Sequence, residues 1–464
     1  MGLTMAVASG CSKCLALMAP KITDKAVYTT ALQNSAVFGD LGAIRLMIDH
    51  GADVNAYDPL GRTPLMYAAV SDVLPVEAVK LLIERGADVN AMDKHKNSGD
   101  TGITVLDIAK RNGNPEIIQL LTTAGAKASP DKSVALKPRK GNTIRAAVQD
   151  SLPLLQRSDS TFVAKAGCVS CHNNSMAAMA VGLARKRGLP VDESISSKQV
   201  MLNAQFLEKA REQLHQGYSF AVGDNFSDFI WGYVLLGLHA ENYKPNLSTD
   251  AAALNILTRQ SPNGDWPYPH ADSRPPICLN YITQTALSMR VLQVYTPKPN
   301  QAAADKAIRL AASWMAKAKT YNSEDRSWRV MGLAWAGTEK AALQAAMKEL
   351  LAAQRSDGGW SDLPTSTLGS SAFATGESLV ALHTAGMPIS DPAFQRGIKY
   401  LLDTQQEDGS WYVKTRALAF QPTFEADFPH GHDQWMSAAG TSWASMALTL
   451  ALPEKGSVTA GLLH

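Results

Sequence analysis

The chain has 464 residues, with 45% apolar, 19% charged and 7% aromatic side chains. That composition suits about three ordinary globular domains and excludes a disordered, collagen-like or mucin-like chain. Forty-four Lys plus Arg against 42 Asp plus Glu gives a net charge of +2, so no global basic field points to nucleic acid or an anionic membrane.

Five cysteines in this length exclude a disulfide-stapled miniprotein, and an odd count leaves at least one thiol unpaired within the chain. No run of about 18 apolar residues is present, so no transmembrane helix is expected. The longest candidate, Ala438 to Leu452, is broken by Gly440, Thr441, Ser442 and Ser445. The apolar first twenty residues lack a basic leader, and Lys13 interrupts them.

Self-similarity organises the N-terminal part. Gly51-Ala52-Asp53-Val54-Asn55-Ala56 recurs as Gly86-Ala87-Asp88-Val89-Asn90-Ala91, and more weakly as Gly125-Ala126-Lys127. The glycines lie 35 and 39 residues apart, with short insertions at 73–75 and around 94–99. Thr63-Pro64-Leu65 precedes the second copy and Thr104-Val105-Leu106 the third. Thr63 is placed to cap a helix with Pro64 at its first position. Val79, Leu81, Leu82 and Ile83 form an apolar face, and Gly86 ends the helix in a left-handed conformation. These motifs resemble ankyrin repeats. Leu3, Ala6, Val7 and Gly10 repeat the pattern of Leu32, Ser35, Ala36 and Gly39, so the chain is expected to begin inside a first, truncated repeat. Cys14 then reads as a small core residue, although Cys11-x-x-Cys14 also has redox or metal spacing. The array is expected to span 1–127. It implies a protein interaction module whose partner the repeats do not name. Residues 128–142 read as a linker.

From residue 143 the period changes. Gln260-x-x-x-Gly264-x-Trp266, Gln354-x-x-x-Gly358-x-Trp360 and Gln405-x-x-x-Gly409-x-Trp411 share one spacing. Degenerate copies are expected at Gln156/Phe162, at Gln213/Gly217/Phe220 and at Trp328. Candidate outer helices lie at 143–156, 198–213, 250–260, 303–318, 340–354 and 393–405. Small, apolar inner helices lie at Asn173–Ala184, Phe226–Leu238, Asn280–Leu292, Val330–Trp335, Ser371–Leu382 and Thr441–Leu450. The triplet resembles the QW motif of squalene cyclases and related terpenoid cyclases. It implies an all-α chain in which 143–453 form an (α/α)6 toroid, with a tail at 454–464.

In such a toroid every outer-to-inner turn lies on one rim. The expected mouth therefore gathers Cys168-Val169-Ser170-Cys171-His172, then His270-Ala271-Asp272 and Cys278, then Glu425-Ala426-Asp427 and His430-Gly431-His432-Asp433. Four of the ten histidines fall there.

Cys168-x-x-Cys171-His172 is the attachment motif of c-type haem: two thiols add to the vinyl groups and the histidine ligates iron. Electron transfer or haem-linked redox work in a periplasmic or exported compartment would follow. A sixth ligand would come from His270, His430, His432 or a methionine, Met176 being on the wrong side. The same residues also suit zinc, completed by Cys278, His270 or His430, or a redox dithiol at a helix start.

The toroid resemblance implies instead an apolar or isoprenoid ligand, with Asp272, His430, His432 and Asp433 as candidate catalytic residues. Against cyclase chemistry, no Asp-rich DxDD run is present, Asp224, Asp228 and Asp362 are isolated, and aromatic residues are few. Prenyltransferase-like zinc would use Asp272, Cys278 and His432, whose spacing matches poorly. A carbohydrate-active toroid would pair Glu425 with Asp427. A scaffold without catalysis is the third possibility.

Overall fold

A computed structural model describes residues 2–8, 10–73, 75–96, 102–129, 134–167, 169–217, 227–266, 280–418 and 424–453. Among them there are helices, turns and isolated bridges, but no extended strand.

The first eight helices pair as a solenoid: α1 (Gly2–Ala8), α2 (Ser12–Met18), α3 (Lys25–Phe38), α4 (Leu41–Asp49), α5 (Pro64–Val70), α6 (Val76–Glu84), α7 (Val105–Asn112) and α8 (Pro115–Thr123). Alternate helices stack, α1 on α3, α3 on α5 and α5 on α7. Their contact faces are small or branched: Ala31, Leu32, Leu65, Ala68, Ala69, Ile108 and Ala109 are buried. α1 and α2 form the first helix pair, and α1 packs on α3. Thr104 caps α7 in a reciprocal capping box with Asp107. Thr63 occupies the equivalent cap of α5 but makes no side-chain bond there, contrary to the sequence expectation. Gly86 does adopt φ +87°, as expected. Cys14 packs against the array's core and is also joined to Cys11 in a disulfide, so the pair is more than core filling.

Among the described residues twelve α-helices follow. The outer ones are α9 (Ile144–Ala166), α11 (Glu193–His215), α13 (Leu247–Thr258), α15 (Gln301–Met315), α17 (Lys340–Ala352) and α19 (Pro392–Thr404). The inner ones are α10 (Met176–Lys186), α12 (Ser227–Ala240), α14 (Tyr281–Tyr295), α16 (Ser323–Trp335), α18 (Ala372–Thr384) and α20 (Gln434–Leu450). Each inner helix packs on the next, and α20 returns to α10, closing a six-membered ring. Glycines on the inner helices allow the close approach: a Cβ on Gly376 would lie 2.5 Å from the Trp443 backbone.

The three expected turns share one geometry. The side-chain amide of Gln260 donates to Gly264 O and, 2.8 Å away, to Ala307 O on the next outer helix. Gln354 repeats this with Gly358 and Ala393, and Gln405 with Gly409 and Ala147. Gln405 thus ties the last pair to the first outer helix. The backbone N–H of Trp266, Trp360 and Trp411 donates to Thr285, Thr375 and Thr441 at 2.9–3.0 Å.

The degenerate copies deviate. α9 runs through Pro153 to Ala166 and does not stop at Gln156; that glutamine bonds Asp192 and Ser196 at the start of α11. Gln213 lies inside α11, and Phe220 is outside the described residues. Trp328 is no turn residue: it lies inside α16.

The array sits on the toroid's mouth through its helix-to-helix turns. Arg416 of the toroid donates to Asp72 at 2.6 Å and to Asn112 at 2.9 Å, and pairs with Asp362 at 3.6 Å. Its side chain is 3% exposed. Thr367 bonds Gly113 O, and Leu418 enters the array's core. Breaking a buried pair leaves its partners charged and unsolvated, at roughly 3–5 kcal/mol. Arg416→Met is therefore expected to lower unfolding stability by about that amount in denaturant titration of the full chain. Adding Asp72→Asn to it should recover part of the loss.

Candidate functional site

Of the mouth residues singled out by sequence, the side chains of Glu425, Asp427, His430, His432 and Asp433 are described. Cys168, His270, Asp272 and Cys278 lie outside the described residues, as does Asp224. Cys171 and His172 open a five-residue π-turn, Cys171–Ser175. Ser170 and Asn174 pin that turn, the Ser170 N–H donating to Asn174 at 2.6 Å. It packs against α20 and α12.

His430 sits at φ +83° and shares a 2.8 Å hydrogen bond with Ser410, and burial pulls its pKa down. Asp433 accepts from Tyr412 at 2.8 Å and from the Thr415 backbone at 2.9 Å, which makes it a loop anchor at the head of α20. His432 is exposed. Glu425 and Asp427 face an open groove on the outer wall beside Lys165 and Arg157, away from the ring's centre. Among the described residues no group of three or more His, Cys, Asp or Glu side chains is placed to hold a metal. Met176 is buried at the start of α10.

A different constellation occupies the ring. Tyr233 on α12 meets Trp328 on α16 edge-on at 5.8 Å between ring centroids, and Trp328 meets Trp443 on α20 at 6.2 Å. Each of these pairs skips the inner helix between them. The three rings therefore reach across the lumen and form one aromatic layer.

Glu377 on α18 stands in the wall beside this layer. It is 0% exposed, and neither carboxylate oxygen finds a hydrogen-bond partner among the described residues. Burial pushes its pKa well above the ordinary carboxylate range, and Asp362 and Asp325 add to the rise by like charge. The indole of Trp328, beside it but outside hydrogen-bond geometry, opposes the rise. The turn register makes Glu377 conspicuous. Two residues beyond the threonine that binds each turn tryptophan stand Leu287, Glu377 and Trp443. An acid replaces an apolar residue in one copy only.

Above it, at the mouth, lie two more buried acids. Asp325 accepts from the Tyr321 backbone at 2.7 Å and from Asn280, yet burial raises its pKa to about 6. Asp362, apparently isolated in sequence, is held by Ser371 and Arg416; burial raises its pKa and Arg416 counteracts this. Arg416 thus joins the acid rim to Asp72 of the array.

A proton held in the folded state above its unfolded pKa makes stability fall as pH rises through that interval. For Asp325 the interval runs from 3.8 to about 6. At about 1.4 kcal/mol per pK unit its share is about 3 kcal/mol. Asp325→Asn is expected to flatten the pH 4–6 limb of the stability curve, measured by thermal unfolding in matched buffers. An unchanged limb would assign the slope to other groups.

A family model of ankyrin repeats matches residues 3–93 in three copies. The squalene-hopene cyclase C-terminal domain matches residues 326–428. That second segment contains Trp328, Asp362, Glu377 and Arg416. A search of curated proteins found no match. The chain therefore carries ankyrin repeats followed by a domain of the squalene-hopene cyclase type, folded as an all-α toroid.

Proposed function

We propose that the toroid is an enzyme of cyclase type acting on an apolar, isoprenoid substrate, with Glu377 as its proton donor. The observation that carries this is a fully buried carboxyl, without a hydrogen-bond partner among the described residues and with its pKa raised by burial, beside a layer of aromatic rings. A carboxyl whose pKa is raised by a water-poor wall can still carry its proton near neutral pH and so serve as a general acid, although it is a weaker acid than an exposed one and depends on the site to stabilise the cation that its proton creates. The O–H bond of Glu377 breaks and a C–H bond forms at one carbon of a substrate alkene, while the other carbon becomes cationic. The faces of Trp328, Trp443 and Tyr233 offer the electron-rich surface that such a cation requires. A second alkene of the substrate attacks this cation, forming a ring C–C bond at the cost of one double bond per ring, and loss of a proton from the final cation forms a new alkene, so the sequence balances without any oxidant. Asp362 and Asp325 keep the local charge negative and so keep the proton on Glu377. The array's role in this proposal is to hold the mouth from one side and present its opposite, finger-bearing edge to a protein partner.

General acids contribute about 10²–10⁴ in rate. Glu377→Gln is expected to cut conversion of squalene or linear isoprenoid alcohols by at least about 100-fold while leaving the circular dichroism spectrum unchanged. Product formation at the parental rate would remove Glu377 from the role.

The sequence Cys168-x-x-Cys171-His172 favours a second assignment, covalent haem c in the turn that precedes α10. Cys168 and Cys171 would carry the thioethers and His172 the iron, which supplies one-electron chemistry when bound. A close-packed trio of Phe162, Phe424 and Trp435, at 5.1–5.7 Å between centroids, lies where the end of α9 meets the start of α20 and offers an apolar flank. The Cys11–Cys14 disulfide suits the oxidising, exported compartment that attachment requires. Zinc bound by the same thiols is the remaining option. Intact mass and visible spectrum after export with haem-maturation machinery decide between them: a covalent haem lost in Cys168→Ala/Cys171→Ala supports haem, and a bare polypeptide mass rejects it.

A further inference from the structure

Neither the chemistry of the toroid nor the haem assignment uses the sulfurs of Cys11 and Cys14. Their disulfide lies in the first helix pair of the array, with Cys11 as the N-cap of α2 and Cys14 in its first turn. Neither residue is fully buried.

As a staple the bond has little to hold. It closes a ring that contains only Ser12 and Lys13 between the two cysteines. The entropy that a crosslink removes from the unfolded chain is smallest for the shortest loops. Backbone bonds already shape the segment. The Gly10 N–H donates to Val7 O at 3.0 Å, the Cys11 N–H to Ala6 O at 2.9 Å and the Leu15 N–H to Cys11 O at 3.0 Å. The corner between α1 and α2 and the first turn of α2 therefore have their own hydrogen bonds, independent of the sulfurs.

The two sulfurs are not equivalent. Cys14 packs against the array's core, whereas Cys11 lies on the turn before α2. The backbone N–H of Cys14 donates to Cys11 Sγ at 3.2 Å. Lys13 is exposed between the pair, and residues 1–23 contain no Asp or Glu. A donor N–H and a neighbouring cation favour a thiolate over a thiol. Cys11 is thus the sulfur suited to be attacked and later released, and Cys14 is the one held back in the core contact. Exposed disulfides that stabilise little are the ones that take part in exchange.

We propose that Cys11–Cys14 is a redox-active disulfide that accepts electrons from a vicinal dithiol, with Cys11 carrying the mixed disulfide. One thiolate of the donor attacks Cys11 Sγ. A new S–S bond forms there as the Cys11–Cys14 bond breaks, and Cys14 leaves as a thiolate and takes a proton. The donor's second thiolate attacks the donor sulfur of the mixed disulfide and releases Cys11. Two electrons and two protons pass from the donor, which departs as a disulfide, to Cys11 and Cys14. In the reverse direction Cys14 resolves the mixed disulfide. The first repeat then carries a redox function of its own, separate from the ring.

The test uses the full, folded chain in glutathione buffers of graded redox ratio, quenched with N-ethylmaleimide and digested with trypsin. Cleavage after Lys13 and Lys21 leaves peptides 1–13 and 14–21 joined only while the disulfide is intact, so the pair is read separately from Cys168, Cys171 and Cys278. The pair is expected to be reduced by millimolar glutathione, which leaves a structural disulfide oxidised, with the circular dichroism spectrum unchanged. Cys14→Ser is expected to accumulate a glutathione adduct on Cys11, and Cys11→Ser is expected to lose such trapping. Reduced thioredoxin and dihydrolipoamide, at equal dithiol concentration, identify the donor: faster reduction by thioredoxin marks a protein dithiol, and equal rates mark a small one. A pair that stays oxidised until the chain unfolds would overturn the inference, whatever the variants do. So would adducts of equal yield on the two single variants.

Discussion

The turn glutamine is the constraint on which the toroid depends. An outer helix ends with its carbonyls unsatisfied, and the next helix pair must be held at a fixed distance. One side-chain amide sets that distance by donating to its own turn glycine and to the neighbouring outer helix. The glycine must be glycine, since φ is +104°, +88° and +90° in the three turns and a Cβ would meet a backbone carbonyl of the next outer helix at 2.5–2.7 Å. The tryptophan that follows seals the wedge by donating its indole N–H back to the outer helix just left. Gln405 is the member that reaches from the last pair to Ala147 on the first outer helix, so one bond of this series helps to close the ring.

Closure creates the chemical setting. Inner helices rich in Ala, Ser, Thr and Gly approach closely, and the few large side chains among them are forced toward the centre. That is why Tyr233, Trp328 and Trp443 meet across helices that are not neighbours. It is also why Glu377 cannot reach water. The array adds a lid edge to one side of the mouth, and its own turns are spent on that contact. The opposite edge keeps Tyr57 and Met92 exposed at matching positions of successive repeats, six residues after Gly51 and Gly86.

Much of the architecture was legible in the sequence because both halves repeat. The Gly-Ala-Asp-Val-Asn-Ala copies and the three Gln-to-Trp spacings each announce a physical unit, and Leu3, Ala6 and Val7, buried in the array's core, mark the first helix. The degenerate copies were harder. Gln156 resembles a turn glutamine, but nothing after it breaks the helix, and Pro153 is absorbed in α9. Trp328 has a tryptophan's spacing but an inner-helix environment, which only packing reveals. His430, one of the mouth histidines, is bonded to Ser410 within its own loop. The acid in the ring was missed, although aligning Thr285, Thr375 and Thr441 would have exposed Glu377 beside Leu287 and Trp443. The Arg416–Asp72 pair spans 344 residues, and no local pattern encodes it.

The central claim is that the toroid holds a proton on Glu377 at neutral pH. The direct measurement is the carboxyl carbon-13 resonance of that residue in glutamate-labelled protein, assigned by its absence from Glu377→Gln and followed from pH 4 to 8. The account predicts a resonance that keeps the position of a protonated acid through pH 7. A resonance that moves to the ionised position near pH 4–5, as an exposed glutamate does, would contradict it.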